Sequence, residues 1–282
     1  MSCLGVAPRR LSAFGRLWRY VWAMKPSRLA AVLIATGLTI GLTGCGKFPQ
    51  TIDQITYVAD SGPAFSVAAV ARPDASLAGD AVVAAAAHSV VKVRSLAYSC
   101  RRVTDGSGFV VAPERVMTNA HVVAGGDSLT VSVDGQRLDA VVVMFDPITD
   151  ISILNVPGLQ ARPLDFAHDT ALTGTDAVVL GYPGGGPFAA YPARVRELVE
   201  IKAPDLYRVL TFSREVYAIR GKVGHGDSGG PLIDRDGRVL GMNFGAAVHD
   251  PDVGFVLTAK LIYPHAVSAG TTLPVPTGPC IT

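Results

Sequence analysis

Gly226-Asp227-Ser228-Gly229-Gly230-Pro231-Leu232 is the stretch on which the reading of this chain turns. Glycines flank a serine on both sides. They permit a tight turn that aims several backbone N–H groups at one point beside the hydroxyl. A serine hydroxyl is a weak nucleophile at neutral pH, so it needs a base and a group that orients the base. Two upstream segments offer these. Thr118-Asn119-Ala120-His121-Val122-Val123 contains His121, and Asp150-Ile151-Ser152-Ile153-Leu154 contains Asp150. Asp150 lies 29 residues after His121, and Ser228 lies 78 after Asp150. In the order His, Asp, Ser, the first half of the chain supplies base and orienter and the second half the nucleophile.

Rival assignments exist for two members. Asp146 precedes Asp150 by four residues and is the alternative carboxylate. Gly226 to Gly230 also fits the Gly-x-Ser-x-Gly elbow of α/β-hydrolases, which needs an acid and a histidine downstream and helices between strands. Only 54 residues follow Ser228; His249 and His265 fall there, but the room and the helices do not.

The rest of the chain reads as short strands. Ser89–Arg94, Ser107–Val111, Val116–Asn119, Leu129–Val133, Ala140–Phe145 and Ile151–Val156 form one set of six. Asp134-Gly135 is a hairpin signal after the fourth. A connector around residues 161–175 leads to Ala177–Gly181, Ala193–Ile201, Val209–Ile219, Pro231–Ile233, Arg238–Phe244 and Gly254–Thr258. Ala81–Ala87 reads as a helical turn before the first strand. With 30 Gly, 19 Pro and 17% charged residues, the composition suits an all-β fold of sandwiches or barrels.

Taken together, the three segments resemble the trypsin-like serine proteases, including the HtrA branch. That resemblance implies two six-stranded antiparallel β-barrels with the active site in the cleft between them, residues 81–170 forming the first and 171–282 the second. It implies a catalytic triad of His121, Asp150 and Ser228. It also places the oxyanion hole at Gly226, Asp227 and Ser228, with the N–H groups of Gly226 and Ser228 as donors. A closer similarity is to the actinobacterial membrane-anchored acid-resistance proteases (the MarP family). It is carried by Arg115-Val116-Met117-Thr118-Asn119-Ala120-His121-Val122-Val123-Ala124-Gly125, by Gly181-Tyr182-Pro183-Gly184-Gly185-Gly186 and by Phe244-Gly245-Ala246-Ala247. It covers residues 84–282, and Cys100 and Cys280 match that family's disulfide. That family carries several transmembrane helices, whereas this chain shows one export segment. No segment of PDZ length follows the protease region.

The resemblance also places the floor of the substrate pocket near Lys222 and Val223. Lys222 holds the position six before Ser228 where an Asp would select Arg or Lys, so a small or apolar residue is expected before the scissile bond. Lys222 as an ordinary solvated charge is the competing reading. Asn243, Phe244 and Gly245 are expected to pair with the substrate backbone as an added strand. Gly184–Gly186 reads either as a loop bordering the cleft or as a structural turn. His225, beside the serine, reads as a pH sensor or simply as an exposed residue.

The N-terminus reads as an export signal. Leu29–Gly44 is apolar and uncharged, follows Lys25 and Arg28, and ends in Leu42-Thr43-Gly44-Cys45, which resembles a bacterial lipobox with Cys45 as the lipidated residue. An uncleaved anchor helix is the alternative. Met24-Lys25-Pro26 also makes a signal start, so residues 1–23 read as an extended gene start. Residues 46–80 read as a spacer. Six of the 25 basic residues and none of the 23 acidic ones lie in residues 1–45. Without them the balance is 19 basic to 23 acidic, net −4, which gives no basic bias toward nucleic acid.

Of the four cysteines, Cys3 and Cys45 fall in the leader. Cys100 and Cys280 remain for a disulfide in an oxidising compartment. Two separated cysteines make no metal site, and no cofactor is expected. The expectation is a monomeric, membrane-tethered, extracytoplasmic serine endopeptidase acting on proteins or peptides. A catalytically silent lipoprotein that binds peptides or envelope partners on the same fold is the competing class, and an acyl hydrolase of small esters a third.

Overall fold

The computed structural model describes residues 68–247 and 250–281. Cys45, the whole export segment and residues 46–67 of the expected spacer lie outside the described residues. Within them, no helix is long and apolar enough to cross a membrane.

A short helix α1 (Ala81–Ala87) enters the first barrel. The barrel contains β1 (Val90–Ala97), β2 (Arg102–Ala112), β3 (Arg115–Thr118), β4 (Ser128–Val133), β5 (Gln136–Asp146) and β6 (Ile151–Asn155), with a four-residue helix α2 (Ala120–Val123) after β3. All pairings are antiparallel, and β1 pairs with both β2 and β4, which closes the ring in the order β1-β2-β3-β6-β5-β4. The second barrel repeats this plan with β7 (Asp176–Gly181), β8 (Ala189–Pro204), β9 (Thr211–Gly221), β10 (Pro231–Ile233), β11 (Val239–Ala246) and β12 (Val253–Thr258). It closes through β10 and β7. Helix α3 (Ala259–Val267) follows, and Thr258 caps it by accepting from Leu261 N at 3.3 Å.

Alternation along the strands divides three cores. Val91, Val93, Val110, Val131 and Leu154 fill the first barrel, and Val179, Val195, Ile219, Leu232 and Val256 the second. The opposite faces meet between them: Phe109, Met117, Ile151 and Ile153 from the first barrel join Leu180, Ile233, Met242 and Phe244 from the second. That is why β3, β6, β10 and β12 are each buried on both faces. Each large apolar side chain in this shared layer contributes about 1.5–3 kcal/mol of burial, so the junction is a packed core.

The end of the expected spacer is tied to the second barrel. Arg196 Nε donates to Ala68 O (2.9 Å), Arg220 to Val70 O (2.7 Å), and Leu77 is buried. Pro73 and the polar neighbours made this stretch look unstructured; backbone carbonyls bound by arginines leave no hydrophobic period to read.

Candidate active site

His121 sits on α2, just past the end of β3. Val122 and Val123 on the same turn are buried in the first-barrel core, which fixes the helix. Gly106 lies against it so closely that a methyl group there would be 2.7 Å from Val122. Asn119 holds the N-cap position but does not cap; its amide donates to Asp150 O at 2.9 Å. Asp150 immediately precedes β6 with a left-handed backbone (φ 62°), a conformation that asparagine and aspartate tolerate better than most residues. Its carboxylate is fully buried. Oδ1 accepts from His121 N (2.9 Å), and Oδ2 faces His121 Nδ1 at 2.8 Å. With Nδ1 so engaged, Nε2 lies on the far side of the ring. Asp146, the rival carboxylate, serves the turn before β6 by accepting from Ile148 N, Thr149 N and the Thr149 hydroxyl.

The serine segment crosses the same junction. Gly229 N donates to Asn243 O (2.8 Å) and Asn243 N to Gly230 O (2.9 Å), which fastens the segment to β11. On its other side Ser107 N donates to Ser228 O (2.8 Å). Gly229 has φ 85°, and a methyl group on it would lie 2.2 Å from Ser107 O and 2.4 Å from Thr118 Oγ1. Only glycine allows this approach. The backbone after Ser228 is thereby seated on the residues that lead into His121.

Every carbonyl from 225 to 228 is occupied. His225 O accepts from Gly184 N (2.6 Å), Gly226 O from Ser107 Oγ (2.6 Å), Asp227 O from Gly230 N (3.0 Å) and Ser228 O from Ser107 N. The N–H of Asp227 is taken by Gly224 O (3.1 Å). Among the described residues, the N–H groups of Gly226 and Ser228 have no acceptor. Asp227 itself is fully buried. Its Oδ2 accepts from Gly224 N (2.8 Å), and among the described residues its Oδ1 has no partner. Burial raises its carboxyl to about 6, against the lowering effects of the Gly224 N–H and Lys222.

The other expected residues fall as follows. Lys222 is exposed, with its ammonium 5.1 Å from the Tyr191 ring centre, a cation–π contact. Val223 is buried and packs on Gly254, where a methyl group would be 2.5 Å from it. Asn243 and Phe244 are fully buried, and Phe244 points into the shared core, so only backbone at these positions is available to a ligand. β10 begins opposite Met242 while β11 runs on to Ala246, with Gly245 half-buried. His225 is exposed. Cys100 and Cys280 face each other with Cα atoms 6.3 Å apart, a span a disulfide bridges. Among the described residues, no cluster of His, Cys, Asp or Glu could hold a metal ion.

Two contributors lay outside the sequence reading. Ser107 uses its hydroxyl and its amide on the serine segment and accepts Thr118 Oγ1 on its carbonyl (2.7 Å). Tyr182 donates its N–H to Ser107 Oγ (2.8 Å) and its hydroxyl to Val90 O (3.2 Å). The available signal was Gly106-Ser107-Gly108, a serine between glycines inside a strand; strand glycines mark close backbone approach.

Two closed six-stranded antiparallel barrels, with a buried Asp–His pair on one and a glycine-flanked serine on the other, define the double-barrel serine peptidases. Comparison agrees. Residues 106–242 match the family described as the trypsin-like peptidase domain. The chain is 48% identical over 257 residues to the serine protease Rv3671c of Mycobacterium tuberculosis (strain ATCC 25618 / H37Rv), covering 91% of this chain and 60% of that one. It is 34% identical over 187 residues to a probable periplasmic serine endoprotease, DegP-like, of Brucella suis, covering 61% of this chain and 34% of the relative. The crystal structure of the Rv3671c protease in its active form superposes with a TM-score of 0.75 at 52% identity, over 77% of this chain and 96% of that one. The chain belongs to the trypsin-like serine peptidase family. It spans 60% of the length of its curated M. tuberculosis relative.

Proposed function

We propose that the chain is an extracytoplasmic serine endopeptidase that cleaves peptide bonds through His121, Asp150 and Ser228. The observation that carries this reading is the pattern of main-chain bonding around Ser228. Four consecutive carbonyls are held, while the N–H groups of Gly226 and Ser228 bond to no group among the described residues. They are the donors for the oxyanion.

In the reaction, His121 Nε2 takes the proton of Ser228 Oγ as Oγ bonds to the scissile carbonyl carbon. The carbonyl π electrons move to oxygen, and that oxyanion accepts from Gly226 N and Ser228 N. The C–N bond then breaks, and the same proton passes from Nε2 to the leaving amine. This gives an acyl-enzyme and a free amino terminus. A water molecule repeats the sequence, losing its proton to His121 and releasing the acid and Ser228. Asp150, accepting from both His121 Nδ1 and N, holds one tautomer and stabilises the imidazolium.

A small or apolar side chain before the scissile bond fits the expected floor positions, where Val223 is packed on Gly254 and the Lys222 ammonium is engaged by Tyr191. The backbone of residues 244–246, past the point where β10 begins, suits an extended peptide added as a strand. Residues 1–45 serve export and tethering through Cys45, residues 46–80 link that anchor to the protease domain at 81–282, and Cys100–Cys280 closes as a disulfide in the envelope. The likeness to a probable periplasmic endoprotease of Brucella suis supports the compartment. A role in envelope stress or protein processing fits that location.

Hydrolysis of fluorescein-labelled casein by the chain, abolished in Ser228→Ala, is the expected result. A silent peptide-binding protein would leave casein intact, and an ester hydrolase would turn over p-nitrophenyl acetate but not casein.

A further inference from the structure

The direction of Gly226 N–H depends on a carbonyl one residue back. His225 O and Gly226 N–H belong to one trans peptide and point to opposite sides of it. His225 O is held by Gly184 N at 2.6 Å. The oxyanion donor is therefore aimed by wherever the Pro183–Gly185 turn stands.

That turn is a single 3₁₀ turn closed by Gly185 N to Tyr182 O and Gly186 N to Pro183 O, both 3.0 Å. Gly184 and Gly185 both have left-handed backbones, φ 61° and 66°, and glycine adopts these at the expense of many alternatives. Its anchors lie on the other barrel. Lys92 Nζ on β1 donates to Gly185 O. Lys92 stands directly opposite Ser107 in the β1–β2 ladder. One rung of the first barrel thus holds the serine segment through Ser107 and the supporting turn through Lys92. On the next pair along the same face, Arg94 opposes Asp105 and pairs with it at 3.2 Å. Gly185 lies against that carboxylate, where a methyl group would be 2.8 Å away, so the turn is pressed between the Lys92 ammonium and Asp105. A bond from an ammonium to a carbonyl is roughly twice as strong as a neutral one.

We propose that Lys92 is a positioning residue for the oxyanion site, acting through Gly185 O and Gly184 N–H on the His225–Gly226 peptide. This role rests on the peptidase reading above. The bond that Lys92 makes is to the turn, at Gly185 O. Without its bond the turn shifts, His225 O loses its donor, and the peptide rotates so that Gly226 N–H leaves the cleft.

The test is Lys92→Met in the full chain, assayed by turnover of fluorescein-casein and by saturation kinetics of inactivation with a biotinylated fluorophosphonate. The maximal rates of both reactions should fall by roughly 10- to 100-fold, short of the full loss of an oxyanion donor. KM and the half-saturating fluorophosphonate concentration should change by less than about threefold, because only the transition state is affected. Lys92→Arg, which keeps a charged donor at that reach, should retain most of the rate. A Lys92→Met rate within about twofold of the parent, or a loss confined to KM, overturns the role. Should Lys92→Met fail to fold, Lys92→Arg must still exceed Lys92→Gln in maximal rate, and equal rates overturn it. An unreactive parent chain is a different result, which sinks the peptidase reading itself and this role with it.

Discussion

The amide of Ser107 donates to the carbonyl of Ser228, 2.8 Å across the boundary between the barrels, and the hydroxyl of the same residue donates to Gly226 O. One strand residue thus fixes the Gly226–Asp227 and Ser228–Gly229 peptides. Ser107→Ala keeps the first bond and removes the second, and Tyr182 N loses its acceptor. The expected cost is about 1–3 kcal/mol of stability for the unpaired groups, read from urea denaturation. Casein turnover should fall as well, because Gly226 is released.

Asp150→Asn keeps the shape of the side chain but alters the partner of His121 Nδ1. Casein turnover should drop on the order of 10⁴-fold, as loss of the orienting carboxylate does in this reaction type. Asp146→Asn, at the turn, should leave turnover near the parent value. Steady-state assays of both variants check this, and a reversed ranking would move the carboxylate role to Asp146.

Asp227 makes stability depend on pH in a direction opposite to most carboxylates. Its folded pKa of about 6 lies above the ordinary 3.8. The native state therefore binds the proton more tightly than the unfolded chain. The stability this contributes is complete below pH 4 and is lost as pH rises through 6, by about 3 kcal/mol in all. Asp227→Asn removes that loss. The stability of the variant relative to the parent should rise between pH 4.5 and pH 7, measured by urea denaturation at both values. A difference independent of pH contradicts the account.

The C-terminal segment braces the turn after His121. Gly125 N donates to Thr277 O (3.2 Å), and a methyl group on Gly125 would lie 2.9 Å from Cys280 Sγ. Cys280→Ser should lower stability by about 2–5 kcal/mol under oxidising conditions. Under reducing conditions the parent should fall to the level of the variant. Thermal melts with and without dithiothreitol measure both.

Much of this was legible in the residues. Strand β10 and helix α1 occupy the spans expected for them, because each is short, apolar and bounded by turn or polar residues. The Asp150–His121 contact follows from the motif order. Helix α3 was missed because Pro264 lies inside it and its apolar residues continue those of β12 without a break. The beginning of β8 at Ala189 was hidden by Pro192, which pairs opposite Val178 in the ladder. Lys92 lies within the expected strand Ser89–Arg94, and nothing in that span indicates a partner. Only the second barrel's approach to that face gives it a partner, and such approach leaves no local trace.

The central claim concerns one hydroxyl, and its reactivity can be read directly. The chain is treated with a fluorophosphonate, digested and examined by mass spectrometry. The account predicts a single adduct on Ser228, absent in Ser228→Ala and strongly slowed in His121→Ala. An unmodified Ser228 in the folded protein, or labelling that persists in Ser228→Ala, would contradict it.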